Sequence, residues 1–84
     1  MQTRVINYLR TRPGKPLNIH GSQFMEAGTP DILYVEDGQA YWFELKTKTG
    51  RVAPIQQHRL EEWRAAGAVA IVARTLEEVQ EVLP

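Results

Sequence analysis

The chain has 84 residues, with ten acidic and ten basic side chains and no formal net charge, which excludes a phosphate-coating protein that works through an excess of Lys and Arg. Cysteine is absent, so no disulfide framework and no thiolate zinc site is available. No apolar run approaches the roughly eighteen residues of a membrane span, and the first residues lack a signal-peptide-like apolar stretch, so the expectation is one soluble domain over residues 1–84.

Val5, Ile6, Tyr8 and Leu9 fit one side of a short helix that stops before Pro13-Gly14, with Gln2 and Asn7 on its polar side. Arg4, Arg10, Arg12 and Lys15 meet no acid in this first stretch, whereas Glu77, Glu78 and Glu81 near the end meet no base. Leu17-Asn18-Ile19-His20 alternates and predicts a short strand. A loop carrying Phe24 and Met25 then leads to Gly28-Thr29-Pro30-Asp31.

The next stretch is the most informative in the chain. An apolar run to Val35 and the run Tyr41-Trp42-Phe43-Glu44-Leu45-Lys46 flank Asp37-Gly38, a strong hairpin signal. If Asp37 and Gly38 form the loop, Glu36 pairs with Gln39, and the count along both strands places Asp31 opposite Glu44, with Cβ atoms about 5 Å apart. Leu33, Val35 and Trp42 then share the face of those acids, and Ile32, Tyr34, Tyr41, Phe43 and Leu45 take the other. Both faces are apolar, which predicts a sheet covered on both sides.

Pro54 suits the first turn of a helix running to Ala66, with Gly67 as its stop. Gln56, Leu60 and Trp63 fall on one stripe of it, which predicts that Leu60 and Trp63 are core and that Gln56 points inward near Lys46. The small and β-branched run from Ala68 to Ala73 reads as a buried strand, parallel to its predecessor because a helix intervenes. Thr75-Leu76-Glu77-Glu78 is a capping box that opens a last helix with Leu76, Val79 and Leu83 inward. The predicted class is α/β, ordered helix, three strands, helix, strand, helix.

Two facing carboxylates repel unless a positive charge lies between them, and protonation is disfavoured at the wet strand end expected here. A divalent metal is the simplest solution. Lys46, two residues beyond Glu44, adds an ammonium to the same face. As separate residues, Asp31 reads equally as a turn residue after Pro30, and Glu44 with Lys46 as a surface ion pair.

Pro30-Asp31 followed by Glu44-Leu45-Lys46 resembles the signature of the PD-(D/E)XK nuclease superfamily. Gly28-Thr29-Pro30-Asp31, Phe43-Glu44-Leu45-Lys46, Gln56 and the Gly67-Ala68 step into an apolar strand together resemble its VRR-NUC family over residues 17–83. The resemblance implies a restriction-endonuclease-like αβββαβ core with a mixed four-stranded sheet and a C-terminal helix. It implies a Mg²⁺- or Mn²⁺-dependent deoxyribonuclease, with Asp31, Glu44, Lys46 and Gln56 catalytic and with Asp31, Glu44 and the Leu45 backbone carbonyl on the metal. It also implies DNA as partner, in branched forms such as Holliday junctions, and a homodimer in the cytoplasm of a bacterial or phage-infected cell. Lys48, Arg51, His58 and Arg4 are the candidate DNA contacts.

One departure stands out. The family's first helix usually supplies a further acid, and no Asp or Glu here precedes Glu26, so Gln2 or Asn7 becomes a candidate neutral oxygen ligand. That departure keeps open a catalytically weak or inactive nucleic-acid-binding module, and a small structural partner subunit is a third reading. His20 reads as a strand-end imidazole bonded to backbone.

Overall fold

The structure is a computed structural model that describes residues 1–19 and 25–84. The readings of His20 and Phe24 lie outside the described residues. The elements are α1 (Gln2–Arg10), β1 (Lys15–Asn18), β2 (Ile32–Glu36), β3 (Gln39–Leu45), α2 (Pro54–Ala65), β4 (Val69–Ala73) and α3 (Leu76–Glu81). The strands form one sheet in the order β1-β2-β3-β4, antiparallel for the first three and parallel between β3 and β4. This is the mixed sheet and element order predicted from the sequence.

The hairpin register is the one that the Asp37-Gly38 loop requires, because Glu36 pairs with Gln39 and Ile32 with Phe43. Asp37 (φ 52°) and Gly38 (φ 77°) are both left-handed, as a two-residue loop between twisted strands demands. The edge strand begins at Lys15, earlier than the Leu17 start expected from alternation. Pro16 is tolerated there because, among the described residues, β1 pairs only with β2, leaving its other side without a ladder to break.

The two faces of the sheet divide the core. Ile32, Tyr34, Tyr41 and Phe43 meet Val5, Ile6 and Leu9 of α1 and Val79 of α3. On the opposite face Trp42 and Ala70 meet Leu60 of α2, with Ile19, Leu33, Ala68 and Val72 packed around them. Burying a large apolar side chain contributes about 1.5–3 kcal/mol, so the first face, with fully buried Tyr34 and Phe43, carries most of the hydrophobic stabilisation. Trp63 departs from its core assignment. Its ring lies on Trp42 with centroids 4.8 Å apart, yet 36% of the residue stays exposed, because α2 rests on the sheet mainly through Leu60.

The α1 face also holds an ionic network that periodicity did not single out. Arg12 donates from Nε and Nη2 to the two carboxylate oxygens of Glu36, at 3.0 Å each, and from Nη2 to the Pro84 carbonyl. The Tyr34 hydroxyl donates to Glu36 and accepts from the Gly14 N–H. The Arg12 and Tyr34 hydrogen bonds hold the Glu36 carboxyl below the usual glutamate range. A depressed folded-state pKa contributes stability that is present above the unfolded value and lost as pH falls through the folded one. The expected result is a melting temperature that drops in acid below the ordinary glutamate range, and an acid limb that is flatter in Glu36→Gln. Parallel acid limbs in the two proteins would assign the loss to other carboxylates.

Candidate active site

Glu44 lies near the end of β3 on the α2 face and is 3% exposed, while Asp31 directly precedes β2 at the same level and is 8% exposed. The wet strand end expected from sequence is therefore a buried one. The Asp31 Oδ2 atom accepts the Leu45 N–H at 2.8 Å, so the carboxylate takes up a backbone donor at the end of β3. A buried carboxylate is stable only where donors compensate for lost water, and this bond both satisfies and aims it.

Gln56 explains how Glu44 is aimed. Its Oε1 accepts the Ala53 N–H at 2.9 Å, reaching back to the start of α2 as a residue at the third helical position can. With the oxygen engaged, the amide must turn its NH₂ the other way, and Nε2 donates to Glu44 Oε2 at 3.1 Å. A backbone donor thus fixes the amide orientation. Gln56, expected to point inward near Lys46, makes its side-chain bond to Glu44. The Lys46 ammonium stands 3.7 Å from the same Oε2 atom.

Three further residues hold the surroundings in place. Gly28 has φ 82°, and a Cβ there would come within 2.7 Å of the Ile55 carbonyl oxygen, so glycine lets the loop before Asp31 close onto the first turn of α2. Arg59 ties the same loop to α2 through the Ala27 carbonyl at 3.0 Å. Arg74, just beyond β4, donates from Nη1 to the carbonyls of Thr47 (2.6 Å) and Gly50 (2.7 Å). With the bond from the Lys46 N–H to Ala73, it anchors the turn that follows Lys46. The Gly28-Thr29-Pro30-Asp31 string was the advance hint for the glycine; the bonds of the two arginines to backbone carbonyls follow no sequence pattern.

The other candidates lie apart from this cluster. Lys48 and Arg51 are exposed on the turn and helix approach after Lys46, and Arg4 is exposed on α1. His58 is exposed on α2, with Nε2 3.5 Å from Glu62 Oε2. Gln2 Nε2 donates to Asn18 Oδ1 at 2.6 Å, and Gln2 and Asn7 both line a cleft between α1 and β1.

The arrangement was compared with known proteins. A solved structure described as a VRR_NUC domain protein matches over 96% of this chain and 79% of that chain, with a TM-score of 0.78 and 23% sequence identity. The chain has the VRR_NUC fold. No family model matches the sequence, and no curated protein does. Within the VRR_NUC fold, the described residues contain no group of three or more His, Cys, Asp or Glu that could hold a metal. Hard divalent cations such as Mg²⁺ need fewer, commonly one or two carboxylates completed by water. Asp31 and Glu44, each oriented by an N–H donor, fit that donor set, and the Leu45 backbone is drawn to the same place.

Proposed function

We propose that residues 1–84 act as one metal-dependent DNA endonuclease domain that hydrolyses phosphodiester bonds, on branched DNA such as Holliday junctions. The observation that carries this reading is the convergence of Asp31, Glu44, Lys46 and Gln56 at one end of the sheet. Asp31, Glu44 and the Leu45 carbonyl would hold Mg²⁺ or Mn²⁺. Such a cation supplies an acidified water and offsets charge on the scissile phosphate. Lys46 orients the attacking water or the phosphate oxygen through its ammonium, and Gln56 keeps Glu44 aimed. Lys48, Arg51, Arg4 and His58 contact the DNA backbone. In the hydrolysis one P–O bond forms from water and one breaks, the leaving oxygen taking up a proton.

The assay is purified protein with supercoiled plasmid and a synthetic four-way junction, in Mn²⁺, Mg²⁺ or EDTA. Cleavage that requires metal and disappears in Glu44→Gln supports the reading. A ligand that binds only the folded state raises its stability, so metal should also raise the melting temperature of the wild type but not of Asp31→Asn. An unchanged metal response in that variant would place the ligands elsewhere.

We also propose a homodimer in the cytoplasm of a bacterial or phage-infected cell, since two symmetric cuts at a junction call for two related sites. Leu17 (55% exposed) and Val35 (38%) lie on the same sheet face and support this, leaving apolar surface for a second copy. Sedimentation that finds only monomer at tens of micromolar, with junction cleavage intact, would remove it. A non-catalytic nucleic-acid-binding module is the second reading, favoured by one observation. The α1 position nearest Asn18 is the amide of Gln2, and it is committed to Asn18 rather than supplied as an acid. The metal-dependent plasmid assay separates the two.

A further inference from the structure

Away from the acids, α1 and β1 enclose an open cleft of about 400 Å³ lined by Gln2, Thr3, Ile6, Asn7, Arg10 and Asn18. The first five fall on one stripe of α1, at the spacing that a helix turns toward a single neighbour. Three carboxamides, a hydroxyl and a guanidinium face an apolar floor at Ile6, and no carboxylate is among them. Arg10 makes no ion pair among the described residues. At the opposite end, α1 starts without a side-chain cap and without an acid in its first turn. The two ends are about 12 Å of helix apart, and both favour an anion.

The cleft also stands at the same end of the sheet as the acids. Asn18 pairs with Ile32, the residue after Asp31, and the Ile19 N–H donates to the Asp31 carbonyl at 2.8 Å. A polymer crossing the Asp31–Glu44 end therefore has the cleft within reach.

We propose that this cleft takes one unpaired nucleotide of a bound nucleic-acid strand, with phosphates of that strand two phosphodiester steps apart at Arg10 and at the start of α1, and the base against Ile6 with the Asn7 amide on its edge. The inference rests on the nuclease reading for the presence of a strand. Asn and Gln amides match the donor and acceptor pattern of base edges, and arginine matches phosphate. A concave site of this size suits a base that has left its stack, whereas reading a paired duplex requires an element that protrudes into a groove. Phosphates on both sides distinguish a nucleotide within a strand from a free nucleoside monophosphate, which has one.

The test is a titration in EDTA, followed through the side-chain NH₂ resonances of Gln2, Asn7 and Asn18 in ¹⁵N-labelled protein. The probes are a single-stranded hexadeoxynucleotide, the same sequence in a blunt hairpin duplex, deoxyadenosine monophosphate and inorganic phosphate. The single strand should move these resonances saturably, at least tenfold more tightly than the monophosphate, and the duplex and inorganic phosphate should not. Asn7→Leu and Arg10→Gln should each weaken the effect at least tenfold with the melting temperature unchanged. Equal shifts with inorganic phosphate, with the monophosphate or with the duplex, or no shifts with the single strand, would overturn the proposal. Because binding is read without metal, shifts in a protein that fails to cleave would dispose of the nuclease reading alone. Cleavage without shifts would dispose of the cleft alone.

Discussion

Replacing Lys46 with alanine is expected to lower metal-dependent cleavage by about a hundredfold or more, the scale on which losing one preorganised electrostatic contact reduces catalysis. Folding should survive, because the side chain keeps 20% of its surface exposed and its backbone N–H, not its stem, ties β3 to Ala73. Metal stabilisation should survive too, since an ammonium is not a ligand. Gln56→Ala should lose less, because the amide reaches the reaction only through Glu44. Lys46 and Gln56 share the Oε2 atom of Glu44, so the double variant should fall short of the sum of the two losses. Wild-type rates in Lys46→Ala would show that the measured cleavage comes from a contaminant, and the nuclease assignment would go with it.

The second large effect concerns a residue with no side chain. Gly28→Ala places a Cβ against the Ile55 carbonyl at a backbone angle of 82°, where a left-handed non-glycine residue costs about 1–2 kcal/mol before any clash is counted. The loop must then withdraw from α2, carrying Asp31 with it. Expected together are a lower melting temperature and a loss of cleavage larger than the fraction unfolded explains. Gly38→Ala is the control: its φ is also positive, at 77°, but nothing lies within 4 Å of the added Cβ, so it should lose stability without losing rate per folded molecule. Equal catalytic losses in both would refute the contact with Ile55 as the reason for glycine.

The two variants also show where sequence reading was strong and where it stopped. Asp37-Gly38 fixed the hairpin loop, and once the loop was set, the alternation of side chains placed Glu44 and Lys46 on one face without further information. The helix expected from Pro54 to Ala66 is found over Pro54–Ala65 with Ala66 as its cap, so proline and glycine located both of its ends. What failed was inference about depth. Trp63 has core spacing but sits at the margin, because spacing reports which side of a helix faces inward and not how closely the helix sits. The acids were expected in water, although flanking Trp42 and the covering α2 bury them. The bonds of Arg74 to Thr47 and Gly50 and of Arg59 to Ala27 were invisible because they end on backbone carbonyls, which every sequence supplies equally. Gln56 points toward the sheet as its place on the helix stripe required, but its partner depended on which way an amide turns, a choice made by the Ala53 N–H.

Arg12 and Glu36 lie against α1, and Lys46 and Glu44 lie toward α2, with one layer of strands between the two charged groups. Among the described residues, none belongs to both networks. Free-energy changes at sites that share no partner add, so the stability lost in Glu36→Gln should be the same in the wild type and in Lys46→Ala. The sheet acts as a partition: substitutions in the Arg12–Glu36 group can move stability up or down without touching the groups around Glu44.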